Sequence, residues 1–170
     1  MILVARAWPL TAALLCLAGC APATFPVPEQ RPAAAEPEPL VPFVEMGAYS
    51  AAAHIVRDVA GSPEGAGWRW TYRDPELRFR PGTARKFAMD YGIVPEVFKI
   101  TGPVTLSVKV NGHPLGEVRC ESPGERHFER AVPAGWLTPE THVVARVDRH
   151  YTGADGSELG YILHRAGFVP

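Results

Sequence analysis

Tryptophan residues supply the first candidate chemistry of this sequence. Trp68 and Trp70 alternate with polar residues in the run Trp-Arg-Trp-Thr-Tyr, so their indoles share one face of an extended strand. Exposed indole faces stack on the apolar faces of pyranose rings, which makes the pair a candidate for sugar binding. A small domain also needs its large aromatic side chains in the core, and the core is the interpretation we favour for this pair.

Three further candidates lie in loops. Trp136 lies in a long connection between predicted strands, where it either contacts a ligand or plugs one end of the domain. Asn111 and His113 lie at the predicted tip of a hairpin, where binding residues often occur, although the turn itself also favours asparagine. The predicted ligand-binding residues are therefore Trp136, Trp68, Trp70, Asn111 and His113.

No catalytic or metal-binding motif is recognisable in the sequence. The six histidines form no H-x-H or H-E-x-x-H motif and no cysteine–histidine pair at ligand spacing, which argues against zinc. The motifs for a nucleophilic serine, a phosphate-binding loop and a dinucleotide-binding turn are also absent. Residues 155–158 (Asp-Gly-Ser-Glu) offer a few calcium-type oxygens, but a hairpin turn is the favoured interpretation. We predict a non-enzymatic protein without a metal ion or cofactor.

The first 20 residues predict export and a lipid anchor. Residues 1–19 contain one arginine, an apolar run too short to cross a bilayer, and then small residues, as in a signal peptide. Residues 17–20 (Leu-Ala-Gly-Cys) resemble the lipobox of bacterial lipoproteins, where cleavage precedes a cysteine that carries acyl chains such as palmitate. The resemblance implies lipidation of Cys20, and Ala21 after it implies the outer membrane of the cell envelope. The alternative is an ordinary signal peptide with a chance cysteine.

The sequence divides into a signal peptide (residues 1–19), a lipidated cysteine with a proline-rich linker (20–42) and a folded domain (43–170). Residues 21–42 contain seven prolines and predict a stiff polyproline-II stalk. At about 3.1 Å per residue, the stalk would hold the domain up to about 70 Å from the lipid. Once Cys16 leaves with the signal and Cys20 is acylated, Cys120 alone remains, so no intrachain disulfide is expected.

Alternating apolar and polar residues predict an all-β domain. Residues 104–110 alternate strictly, and the Asn-Gly pair that follows is the strongest short hairpin signal. Because Pro114 lacks the N–H that a central ladder needs, we predict a four-residue hairpin loop, residues 111–114. Residues 93–101 are ambiguous between a strand and a short helix. Elsewhere the pattern predicts short strands, including two separated by an Asp-Pro turn, at residues 68–72 and 76–80.

Eight or nine such strands, at a spacing of roughly 8–12 residues, are typical of an antiparallel β-sandwich. The 16 glycines and 18 prolines agree with many turns and little helix. A jelly-roll arrangement would protect the edges of about this many strands. The last predicted strand, residues 159–166, is apolar on both faces and is therefore predicted to be central.

Residues 51–168 resemble galactose-binding-like domains and carbohydrate-binding modules. The resemblance lies in the early aromatic strand at residues 68–72, the Val-Lys-Val-Asn-Gly hairpin at 108–112 and the Val-Pro connection at 132–133. It implies a β-sandwich of jelly-roll or galactose-binding-like type that binds carbohydrate.

We therefore predict a membrane-anchored, non-enzymatic lipoprotein whose β-sandwich binds a glycan or another component of the cell envelope. The alternative is a structural or assembly lipoprotein that docks on a protein partner. A groove lined by tryptophan and polar groups would favour the glycan, and an exposed apolar patch would favour the protein. The net charge of −1 offers no basic surface, which argues against nucleic acid as a partner.

Overall fold

The structure is a computed structural model that describes residues 38–65 and 67–170. The lipobox, Cys20 and most of the proline-rich stalk lie outside the described residues. The described part contains one α-helix, α1 (Pro95–Thr101), and two 3₁₀ helices, Tyr49–His54 and Ala134–Trp136. Its strands are β1 (Phe43–Glu45), β2 (Ile55–Val59), β3 (Arg69–Phe79), β4 (Lys86–Ile93), β5 (Val104–Val110), β6 (His113–Cys120), β7 (Gly124–Ala131), β8 (Thr141–Val147), β9 (Tyr151–Thr152), β10 (Glu158–Leu159) and β11 (Ile162–Val169).

The strands form an antiparallel β-sandwich, which confirms the predicted all-β fold. One sheet has the order β1-β11-β4-β7 and the other β2-β3-β8-β5-β6. Without the added edge strand β2, this order is that of an eight-stranded jelly roll. The two sheets are joined where Arg69 and Trp70 of β3 pair with β11, so the sheet is nearly closed. The last strand is central, as predicted, because β11 has neighbours on both sides.

The core lies between the two sheets and is rich in aromatic rings. Phe79 of β3 contacts Phe87 of β4 and Phe168 of β11, with ring centroids 6.2 Å and 5.8 Å apart. Farther along the sandwich, Tyr91 of β4 lies 5.6 Å from Tyr161, whose hydroxyl donates to a β8 carbonyl. Burial of each such side chain contributes roughly 1.5–3 kcal/mol, so these contacts hold the sheets together.

The hairpin of β5 and β6 differs from its prediction in one respect. Its loop is a two-residue turn at Asn111 and Gly112, both with positive φ, and Val110 pairs with His113. The four-residue loop is therefore wrong. Pro114 is accommodated inside β6 because β6 is an edge strand, and an edge position does not need its missing N–H.

The predicted turn at Asp74-Pro75 is also wrong, because β3 runs through it without a break. The first residues of β3 pair with β11, and Glu76 to Phe79 pair with β8. Pro75 lies between these two ladders, where no inter-strand N–H bond is required of it. One long strand therefore takes part in both sheets, whereas the sequence pattern predicts two short strands separated by a turn.

The sandwich has two ends, which we name by where the chain enters. The entry end holds Val41 and Pro42, the Asn111-Gly112 turn and the connection Ala134–Trp136. The far end holds α1, the β9–β10 hairpin and the loop that precedes β3. Strand β4 runs from one end to the other, and at about 3.3 Å per residue its eight residues separate the ends by roughly 25 Å.

Candidate functional site

The five predicted binding residues divide between the two ends of the sandwich. Asn111, His113 and Trp136 lie together at the entry end, whereas Trp68 and Trp70 lie at the far end. The roughly 25 Å between the ends is longer than any one side chain can bridge. The sequence therefore identified two separate clusters, and a single site composed of all five residues is excluded.

At the entry end, Asn111 uses its side chain to fix the local structure. Its amide nitrogen donates to the carbonyl oxygen of Trp136 at 2.7 Å and to the hydroxyl of Thr138 at 3.2 Å. Its amide oxygen accepts from the backbone N–H of His142 at 2.8 Å. These bonds fasten the hairpin turn to the connection before β8, so Asn111 has a structural role here.

The Trp136 side chain also packs against other residues of its own chain. The His113 imidazole stacks on its indole with ring centroids 4.8 Å apart and an interplanar angle of 14°. The half-buried indole packs against the hydrophobic core. Of the two interpretations of Trp136, the structure favours the plug, because the imidazole covers a face that a ligand would need.

At the far end, the core interpretation of Trp68 and Trp70 is wrong. Arg69 and Thr71 take the buried positions of this part of β3, and both indoles are half-buried on the other face. The guanidinium of Arg69 donates to the carbonyl oxygens of Met46, at 2.8 Å, and of the loop after β2. Burial lowers the pKa of Arg69 from its ordinary value. Because the buried arginine donates hydrogen bonds to backbone carbonyl oxygens, it can occupy the inward face of β3, and the two indoles take the other face. Hydrophobicity alone predicts the opposite arrangement.

Trp70 lines an open groove of about 360 Å³ between three elements. Strand β3 contributes Trp70, and the β9–β10 hairpin contributes Tyr151 and Leu159, which pair across that hairpin. Helix α1 and the residue before it contribute the rest of the lining, Val94, Glu96, Val97 and Ile100. Trp68 packs edge-on against Trp70, with ring centroids 5.5 Å apart, and supports its orientation.

Next to Trp70 in β3, buried hydrogen bonds around Thr71 hold the strand to the segment that follows β10. The Thr71 hydroxyl donates to the carbonyl oxygen of Tyr161 at 2.8 Å and accepts from the Tyr161 N–H at 3.0 Å. The neighbouring Gly160 donates to the Thr71 carbonyl oxygen at 2.9 Å. Because Gly160 directly follows β10, these bonds fix the hairpin to β3.

Helix α1 is defined by local signals at both of its ends. Pro95 occupies the first turn, and Gly102 ends the helix with a φ of +66° that favours glycine. Arg149 donates to the carbonyl oxygen of Thr101 at 3.0 Å and ties the end of the helix to the segment after β8. Ile100, which lines the groove, is 66 % exposed, which is unusual for an isoleucine.

The sequence did not identify most residues of this groove. Tyr151, Leu159 and the α1 residues come from segments that are far from Trp70 in the chain. The only signals near them were the segment at residues 93–101, which was ambiguous between a strand and a short helix, and the predicted turn at residues 155–158. Their convergence depends on the topology of the sandwich, which brings three chain segments to one end.

A second groove, of about 450 Å³, crosses the outer face of the β8-β5-β6 part of the sheet. Its side chains are mostly polar and charged, and one of them, Asp148, pairs with Arg119 at 3.7 Å. Among the described residues, no group of three or more histidine, cysteine, aspartate or glutamate side chains could hold a metal ion. No helix in the described part of the chain is long and apolar enough to cross a membrane.

Comparison with known proteins gives structural neighbours only. No protein-family model matches the chain, and no curated protein matches it by sequence. A solved structure of Clostridium perfringens ZmpB, comprising its M60 catalytic domain and CBM51 carbohydrate-binding domains, is 18% identical over 61% of this chain, with a TM-score of 0.40. This chain spans only 10% of that structure's length.

A carbohydrate-binding module of family CBM36, solved with calcium and xylotriose, is 11% identical, with a TM-score of 0.40, over 75% of this chain and 98% of that one. An acetyl xylan esterase from Butyrivibrio proteoclasticus is 10% identical, with a TM-score of 0.45, over 78% of this chain and 34% of the esterase. At such low identities and TM-scores these similarities do not assign a function. The structural neighbours of this β-sandwich include carbohydrate-binding modules and also carbohydrate-active enzymes.

Proposed function

We propose that this chain is a non-enzymatic, lipid-anchored protein of the bacterial cell envelope whose β-sandwich binds a glycan. Cys20 carries the lipid, the proline-rich residues 21–42 form a stalk, and the far-end groove is the binding site. The observation that carries the glycan proposal is the groove itself, in which Trp70 and Tyr151 present half-buried aromatic side chains.

The chemistry of the groove supports a sugar ligand. Pyranose rings have apolar C–H faces, and aromatic rings remove these faces from water without needing hydrogen bonds. Glu96 adds a carboxylate that accepts hydrogen bonds from hydroxyl groups. A volume of about 360 Å³ is within the range of small-ligand sites.

The position of the groove supports presentation on a stalk. The chain enters the sandwich at Phe43, at the end opposite the groove. The junction with residues 21–42 is therefore separated from the proposed binding site by about the length of strand β4.

A protein partner is the second candidate ligand, because Ile100 is 66 % exposed beside a largely apolar lining. Such a surface also suits docking on another envelope protein. The two candidates differ in their ligand, so a glycan-binding measurement separates them.

The binding test compares single aromatic substitutions in the full chain, extracted in detergent and assayed on a glycan array. Trp70→Ala should weaken binding about tenfold, since about 1.4 kcal/mol corresponds to roughly 55 Å² of stacking area. Tyr49→Ala is the matched control, because Tyr49 is 92 % exposed and does not line the groove. Circular dichroism would verify that each variant is folded.

Trp136→Ala tests the alternative location of the site. We expect it to lower stability and leave glycan binding unchanged. Loss of binding in Trp136→Ala but not in Trp70→Ala would contradict the far-end groove. Absence of binding to any glycan would contradict the glycan proposal and favour the protein partner.

The anchor has a separate test. Mass spectrometry of the membrane-extracted protein should find Cys20 as an acylated N-terminus, and Cys20→Ala should release the protein from the membrane fraction. A native protein with an unmodified Cys20 would contradict the anchor without bearing on the groove.

A further inference from the structure

The residues that line the far-end groove indicate which class of sugar it binds, an inference that rests on the proposed glycan-binding function. Only Trp70 and Tyr151 are aromatic, whereas Val94, Val97, Ile100 and Leu159 are aliphatic. Among the described residues of the lining, Glu96 alone is charged. We propose that the groove selects uncharged sugars that carry an N-acetyl group, over unsubstituted sugars and acidic sugars.

The aliphatic residues are the first part of the argument. An unsubstituted sugar that stacks on an aromatic ring directs its hydroxyl groups outward, and an aliphatic surface leaves those hydroxyls without hydrogen-bond partners. An acetamido group replaces one hydroxyl with a methyl group that an aliphatic surface can bury. Val97 and Ile100, one helical turn apart on α1, with Leu159 of β10, provide such a surface.

Charge is the second part of the argument. The Glu96 carboxylate accepts a hydrogen bond from the amide N–H that accompanies the acetyl group. The same carboxylate repels uronic and other acidic sugars, and among the described lining residues there is no arginine, lysine or histidine to attract them. An uncharged ligand with both an apolar methyl group and an N–H donor satisfies both features.

The test uses three trisaccharides that differ at carbon 2: triacetylchitotriose, its deacetylated form and cellotriose. Titration calorimetry of the full chain in detergent should give triacetylchitotriose an affinity about tenfold higher than that of cellotriose. A tenfold difference lies at the lower end of the discrimination that one methyl-sized group gives when it is buried in an apolar pocket. The deacetylated form, whose amines Glu96 attracts but which lacks the methyl group, should bind less tightly than triacetylchitotriose.

Ile100→Ser tests the aliphatic surface without threatening the fold, because Ile100 is exposed. This substitution should lower the preference for triacetylchitotriose to about twofold or less, because it should weaken the binding of triacetylchitotriose more than that of cellotriose. Val56→Ser is the matched control, since Val56 is 43 % exposed on β2 and does not line the groove. Val56→Ser should retain the full preference.

The outcomes distinguish this inference from the proposed function. Equal affinity for triacetylchitotriose and cellotriose would overturn the N-acetyl inference while the glycan-binding function stands. Tightest binding of the deacetylated form would also overturn it, and would assign an amine to Glu96. No binding of any of the three, together with no binding on the glycan array, would overturn both.

Discussion

The two ends of the sandwich carry similar residues but use them differently. At the entry end, the polar groups of Asn111 bond to backbone and hydroxyl groups, and an imidazole covers the Trp136 indole. At the far end, Trp70 and Tyr151 face a groove. A polar or aromatic side chain is therefore a candidate for ligand binding only when other groups of its own chain do not already take its hydrogen bonds or cover its ring.

The far end also has two layers with different roles. The lower layer is the buried face of β3, where Arg69 and Thr71 bond to backbone carbonyl oxygens. The upper layer is the lining of the groove, in which Trp70 and Tyr151 are half-buried. This division predicts that substitutions in the lower layer change stability, whereas substitutions in the upper layer change binding.

The largest effect is expected for Arg69→Met. Its loss leaves three buried or part-buried carbonyl bonds unmade, at about 1 kcal/mol each, so unfolding should become easier by about 3 kcal/mol. Urea denaturation followed by circular dichroism measures this change. Arg57→Met is the control, because the solvent-exposed Arg57–Glu76 pair should contribute little to stability. Equal losses in the two variants would contradict the structural role of Arg69.

A somewhat smaller effect is expected for Asn111→Ala at the entry end. Alanine removes the bonds to Trp136 and His142 and must adopt a φ of +46°, which together should cost about 2–3 kcal/mol. Asn111→Gly separates the two causes, since glycine removes the bonds but tolerates positive φ. Neither variant should change glycan binding at the far end. A binding defect in the Asn111 variants would contradict the separation of the two ends.

The fold was predictable because strand alternation is a local signal. The β5–β6 hairpin follows from strict alternation and the Asn-Gly pair, and the central position of β11 follows from apolar residues on both of its faces. The turn at Pro75 was mispredicted because a proline is tolerated where a strand changes partners, and partner exchange has no local signature.

The site was less predictable, for two physical reasons. Arg69 is buried beside two half-buried tryptophans because carbonyl oxygens from distant segments surround its guanidinium, and no hydrophobicity pattern encodes those acceptors. The groove joins Trp70 to Ile100 and Tyr151 through tertiary packing alone. Asn111 and His113 were identified as candidates by position, but their hydrogen bonds and stacking became visible only in the folded structure.

The smallest expected effect is a pH dependence of stability that results from His54, which helps to fix the chain at the entry end. This buried imidazole donates from Nδ1 to the carbonyl oxygen of Arg78 at 2.8 Å, and its Nε2 accepts the Val41 N–H at 3.5 Å. The neutral ring satisfies both bonds, whereas a protonated ring has no acceptor for Val41. Burial is the main cause that lowers the pKa of His54 below its ordinary value of 6.5, although the bond to Arg78 opposes this shift.

The sign of the resulting pH dependence follows from proton linkage. Below about pH 6.5 the unfolded chain binds a proton at His54 that the folded chain resists, so stability should fall as the pH decreases. One proton limits this contribution to a slope of about 1.4 kcal/mol per pH unit. His54→Gln should flatten the slope between pH 6.5 and pH 5 relative to the unsubstituted protein, measured by urea denaturation at each pH. An unchanged slope in His54→Gln would mean that His54 is protonated in the folded protein, and the entry segment would then be held by other contacts.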